Sequence, residues 1–116
     1  MNAPNNVYVV DDDEAVRDSL AMLLETAGHA VATFARAGDF LDFCTPGILG
    51  CVILDVNMPG MDGPALQEEL TRRGVWLPVI FLSGHGTIAT TVRTIKAGAL
   101  DFLTKPVNGS LLLARV

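Results

Sequence analysis

Cysteine is almost missing from this chain. Cys44 and Cys51 are its only two, and neither has a CxxC partner or a histidine at a zinc-ligand spacing. That excludes a disulfide framework and a cysteine-held metal, and leaves two buried thiols in a reducing compartment. Positive charge is short as well: eight Lys and Arg stand against thirteen Asp and Glu, for a net −5 at pH 7. Such a surface cannot neutralise a run of phosphates, so direct nucleic-acid binding is excluded. No apolar run approaches the ~20 residues that span a bilayer. Met1 to Asn6 lacks the basic-then-apolar pattern of a secretory signal, so a soluble, cytoplasmic protein with no membrane contact is expected. There is no internal repeat, linker or low-complexity stretch. With 116 residues the chain is long enough for one domain with a real core and too short for two.

What is present is an alternation of short apolar runs and helical patterns. Val7 to Val10 is a β-branched and aromatic run that stops at four consecutive acids, Asp11 to Glu14. Val16, Leu20, Leu23, Leu24 and Ala27 then recur at threes and fours, and Gly28 ends that helix. Val31 to Phe34 predicts a second strand, and Gly38 to Phe43 a short helix. Cys51 to Leu54 predicts a third strand ending at Asp55. Pro59-Gly60 and Asp62-Gly63 make a loop, and Pro64 suits the first turn of a helix carrying Leu66 and Leu70. Leu77 to Leu82 predicts a fourth strand. Thr87 is placed to cap a helix with Ile88, Val92 and Ile95, ended by Gly98. Leu100 to Leu103 predicts a fifth strand, and Leu111 to Val116 the start of a truncated last helix.

Strands apolar on both faces, each followed by a helix, mean an α/β domain: a doubly wound, five-stranded parallel sheet with helices on both sides. Ligands of such sheets bind beyond the carboxyl ends of the strands. The polar residues fall there: Asp11 and Asp12 after strand one, Asp55 after strand three, Ser83 after strand four, Lys105 after strand five. Three carboxylates converging on one crevice repel one another, and a divalent cation relieves that repulsion. Magnesium favours one or two carboxylates with several waters, leaving positions for phosphate oxygens. Asp13, directly ahead of the first helix, is better read as its N-cap. Lys105, beside Pro106, is positioned to reach Asp55 as a point charge. Ser83, His85 and Phe102 each have an ordinary reading, as strand terminator, exposed loop histidine and core ring.

Together these residues carry a resemblance. Val9-Val10-Asp11-Asp12, Leu54-Asp55 through Met58-Pro59-Gly60-Met61-Asp62-Gly63, Leu82-Ser83-Gly84, and Phe102-Leu103-Thr104-Lys105-Pro106 are similar to the motifs of response-regulator receiver domains. The match runs over about residues 7 to 107. Ser83-Gly84-His85-Gly86 and Ala97-Gly98-Ala99-Leu100-Asp101-Phe102 resemble the FixJ-like branch in particular. The resemblance implies a flavodoxin-like strand order 2-1-3-4-5 and two-component signalling. A sensor histidine kinase would donate a phosphoryl group to Asp55. Asp12, Asp55 and the main-chain carbonyl of Asn57 would hold Mg2+ (or Mn2+), with Asp11 acting through water. Lys105 would contact the phosphoryl group, and Ser83 and Phe102 would form the switch pair. Asn57 and His85, two residues past Asp55 and Ser83, are expected to tune dephosphorylation. Val92, Lys96 and Asp101 are expected to form a homodimer face on phosphorylation.

Such a domain performs stoichiometric, self-catalysed transfer and is not a turnover enzyme. Residues 1–116 are expected to be the N-terminal part of a longer regulator whose C-terminal output domain contacts DNA and controls transcription. Valine at position 107 departs from the phenylalanine the family usually has after the Lys-Pro pair. The rival reading is a haloacid-dehalogenase-like, magnesium-dependent phosphatase with Asp11 as nucleophile and Asp13 two positions on. Against it, Glu14-Ala15 follows where that family has threonine or valine, and the length leaves no room for a cap.

Overall fold

In β1 (Asn6–Val10) alternate side chains go to opposite faces, yet Val7, Tyr8, Val9 and Val10 are all buried. That requires cover on both sides of the strand. The computed structural model, which describes residues 6–56, 58, 60–84, 101–105 and 109–116, provides it. Val7 and Val9 join one apolar cluster with Ile53, Ile80, Leu82 and Leu103. Tyr8 and Val10 join another with Val52, Leu54, Val79 and Phe81. The period of two in β1, β3 (Cys51–Asp55) and β4 (Val79–Ser83) thus sorts each strand between two cores.

The sheet has five parallel strands in the order β2-β1-β3-β4-β5, with β2 at Ala30–Phe34 and β5 at Asp101–Thr104. Among the described residues, two helices cover one face. Helix α1 (Glu14–Thr26) contributes Leu20 and Leu24, and α4 (Gly109–Arg115) contributes Leu112. On the other face α2 (Ala37–Phe43) contributes Phe40 and Leu41, and α3 (Gly63–Arg72) contributes Leu66 and Leu70. The doubly wound architecture and strand order expected from the sequence are present. Among the described residues no helix is long and apolar enough to cross a membrane.

Local chemistry sets the boundaries. Asp13 is the N-cap of α1, its carboxylate accepting from the Ala15 N–H at 2.9 Å, as its position predicts. Asp62 caps α3 in the same way through the Ala65 N–H, with Pro64 in the first turn. Strand β4 begins two residues later than expected. Pro78 lacks an N–H, and its carbonyl instead accepts from Val52 at 3.0 Å as the strand starts. Strand β5 is displaced one residue toward the carboxyl end, and the last helix begins at Gly109 rather than Leu111.

The inward placing of Ala27 and the burial of the two thiols need correcting. Ala27 is exposed, because it is the C-cap of α1 and not part of its inward stripe. Phe43 is 49% exposed. It closes α2 at the rim, with its ring centroid 5.7 Å from Tyr8 and 5.2 Å from Phe34. The two thiols are free and only half-buried, though burial pushes Cys51 up to about 11. The helix expected from Thr87 to Gly98 lies outside the described residues.

Candidate functional site

Strand β1 ends by handing its last pairing to the acid that follows it. The Asp11 N–H donates to the Phe34 carbonyl at 3.1 Å, so Asp11 is held in line with the strand and is 1% exposed. The next residues turn into α1. There the Asp13 N–H donates back to Asp11 Oδ1 at 2.9 Å, fixing the carboxylate while leaving Asp12 exposed. Strand β3 ends on Asp55, which is 5% exposed. The loop beyond it closes through the Gly63 N–H, which donates to the Val56 carbonyl at 3.0 Å. Gly63 is required there for contact: a Cβ at this position would stand 2.5 Å from the Asp55 carbonyl oxygen and 2.8 Å from the Phe81 ring.

Strand β4 ends on the fully buried Ser83, whose carbonyl accepts from the Lys105 N–H at 2.8 Å. That bond fixes the lysine backbone just beyond β5, and its side chain turns into the acidic cluster. Nζ lies 2.9 Å from Asp11 Oδ2 and 3.7 Å from Asp55 Oδ2. The sequence directs Lys105 toward Asp55; its nearer partner is Asp11. Burial alone would lower the lysine's pKa. The hydrogen bond and charge of Asp11, with the charges of Asp55 and Asp12, outweigh burial and hold it above the usual lysine value.

Asp11, Asp12 and Asp55 each offer a carboxylate oxygen, and these atoms lie within 4.8 Å of one another. Three carboxylates gathered round one ammonium are a donor set of hard oxygens that fits a divalent cation such as magnesium. Access is open on the side of Asp12. A cleft of about 800 Å³ there is lined also by Arg36, Asp39, Asp42, Gly60 and Met61. Asp13 takes no part, its carboxylate being committed to the cap of α1. Asp13 is not a member of the cluster, and nothing favours the phosphatase reading.

The structure brings together Asp11, Asp12, Asp55 and Lys105, and seats Ser83 at the end of β4 and the half-buried Phe102 within the neighbouring β5, paired to Phe81 two residues before the strand ends. Asn57, His85, Val92 and Lys96 lie outside the described residues, and of Asp101 only the backbone, in β5, is described. Sequence reasoning missed one contributor. Arg17, in the second turn of α1, donates from Nη1 to the Asp11 carbonyl at 2.8 Å. The available signal was a cation one helical turn past the acidic run, on the flank of the apolar stripe.

The family model described as "Response regulator receiver domain" matches residues 7–116. The transcriptional regulatory protein FixJ of Azorhizobium caulinodans is 46% identical over 110 residues, covering 95% of this chain and 52% of that protein. Among solved structures, response regulator StyR superposes with a TM-score of 0.91 at 46% identity, covering 98% of this chain and 58% of that one. The FixJ-N crystal structure gives 0.89 at 36% identity, covering 99% and 91%. The chain spans about half the length of the curated relatives it matches.

Proposed function

This chain belongs to the response regulator receiver domain family, and on that premise we propose that it is a phosphorylation switch in which Asp55 is the acceptor. The observation that carries the proposal is the convergence of Asp11, Asp12 and Asp55 with the Lys105 ammonium at the strand ends. The donor is a phosphohistidine of a sensor histidine kinase. A carboxylate oxygen of Asp55 attacks phosphorus in line, the P–O bond forms as the P–N bond breaks, and the electron pair leaves with the donor imidazole. Lys105 places positive charge where the phosphoryl oxygens arrive, an electrostatic contribution that needs no rearrangement during transfer.

Asp12, Asp55 and the Asn57 carbonyl would hold Mg2+, or Mn2+ in its place. Asp11 would act through water, which agrees with its Oδ1 being taken by the Asp13 N–H and its Oδ2 by Lys105. When bound, the cation supplies charge that neutralises both the cluster and the incoming phosphoryl group.

The added phosphoryl charge and acceptors sit one strand from Ser83. Its hydroxyl turns to donate to them, and Phe102 moves into the space vacated. Asn57 and His85 border the water that later hydrolyses the acyl phosphate and so set its lifetime. Transfer is stoichiometric, so the domain signals rather than turns over substrate. The receiver acts from the cytoplasm through a following output domain that binds DNA. Val92, Lys96 and Asp101 contribute to a two-fold contact formed on phosphorylation.

Acetyl phosphate with magnesium tests this reading. One base-labile phosphoryl group is expected on wild type and none on Asp55→Asn, read by intact-protein mass spectrometry. Full modification of Asp55→Asn, or steady phosphate release with Asp11 as nucleophile, overturns it.

A further inference from the structure

Asp11 is held from several sides. Its N–H donates to the carbonyl of Phe34, the last residue of β2, its Oδ1 accepts from the Asp13 N–H, its Oδ2 lies 2.9 Å from Lys105 Nζ, and its carbonyl accepts from Arg17 Nη1 at 2.8 Å. The first three partners restrain the strand end or the carboxylate. Among the described residues, Arg17 is the side chain that ties the Asp11 carbonyl, and so the peptide leading into Asp12, to the body of α1.

Asp11 is buried, so losing that donor leaves a buried carbonyl short of a hydrogen bond and loosens the hold on that peptide. Asp12, the exposed acid of the cluster, is carried by that turn. Its oxygen is placed only as well as the peptide before it.

Magnesium demands near-ideal octahedral geometry at short ligand distances, whereas calcium accepts irregular shells at longer ones. Rigidity of the acidic turn is therefore a selectivity device. We infer that Arg17 is a positioning residue that latches the Asp11–Asp12 peptide and thereby biases the site toward magnesium over calcium. This rests on the cation-binding reading given above.

Charge and geometry predict opposite signs, which makes the inference easy to test. Acting only as a nearby cation, Arg17 would repel any divalent ion, and its removal would tighten magnesium and calcium by a similar factor. Acting as a latch, its removal weakens magnesium and spares calcium.

The experiment is calorimetric titration of the whole chain with MgCl2 and with CaCl2, on wild type, Arg17→Gln and Arg17→Lys. The lysine variant keeps the charge and loses the planar fork. It also serves if the glutamine variant does not fold, and thermal melts establish folding for each. Outer partners of metal sites typically change affinity by 10–100-fold. We expect magnesium to weaken about tenfold in both variants, with calcium changed by less than about threefold. Equal factors for the two ions, tighter binding of both, or an unchanged ratio overturns the latch. Absence of divalent binding in wild type overturns instead the cation reading on which it stands.

Discussion

The two ends of the same parallel sheet are built on different terms. At the carboxyl ends of β1, β3 and β4 the chain buries Asp11, Asp55 and Ser83, groups whose charge or hydroxyl would be costly without nearby partners. At the amino ends it places Cys51, Pro78 and Gly50. There Tyr8 donates its hydroxyl to the Leu49 carbonyl at 2.9 Å, and burial keeps the Cys51 thiol neutral. At the amino end the tyrosine hydroxyl and the thiol are neutral groups that burial suits. At the carboxyl end three carboxylates converge on one another. Like charges gathered in one place mark the working end of the sheet.

Lys105→Met gives the largest expected change. It leaves the 1%-exposed Asp11 carboxylate with only the Asp13 N–H among the described residues and raises the repulsion with Asp55. Breaking a buried pair typically costs 3–5 kcal/mol, so a loss of about 3 kcal/mol is expected in metal-free protein. Added magnesium should raise the Tm of the variant more than that of wild type. Equal gains would mean that the lysine does not offset the acidic charge.

A matched pair of glycine substitutions comes next. Gly63→Ala at the carboxyl end and Gly50→Ala at the amino end each drive a Cβ to 2.5 Å from a backbone carbonyl oxygen, that of Asp55 and that of Asn6. Both should destabilise by about 2 kcal/mol through overpacking, with added strain at Gly50 from its φ of +138°. Only Gly63→Ala should also slow phosphorylation by acetyl phosphate, measured under conditions where each variant is folded. Equal slowing in both would erase the distinction between the ends.

The smallest effects are alkaline. Lys105 has a raised folded pKa, so its stabilising contribution is complete below the unfolded lysine value and is lost as pH rises through the folded one. Cys51, also raised, loses stability from the unfolded thiol pKa up to about 11. Wild-type melts should therefore fall progressively above about pH 9, and Cys51→Ala should flatten the early part of that fall. In native protein at pH 8, Cys51 should alkylate more slowly than in urea. Equal rates would show that its burial does not protect it.

Much of this was legible in the residues. Short continuous apolar runs placed the five strands, and the polar residue ending each run placed Asp11, Asp55 and Ser83 together, because parallel strands share one direction. The cap role of Asp13 followed from its position alone. What escaped were distances across the sheet. Whether Lys105 meets Asp55 or Asp11 depends on the register between β4 and β5 and on the Lys105–Ser83 backbone bond, and no local pattern encodes either. The late start of β4 turns on the missing N–H of Pro78, a signal that was present but outweighed by the apolar run around it. Arg17 was hidden because an arginine early in an amphipathic helix ordinarily faces solvent. The close approach of Gly63 to Asp55 was hidden behind its evident use in a turn.

The strand order 2-1-3-4-5 has a kinetic consequence. The three carboxylates follow β1 and β3, which lie inside the sheet, paired on both sides, while Lys105 follows β5, which lies at an edge. Local opening costs least where few contacts hold an element, and β5 pairs with β4 alone while β1 and β3 pair on both sides. An opening of β5 would carry Lys105 away and leave the acids in place, so the cluster would then be at its most negative and most attractive to an arriving divalent ion.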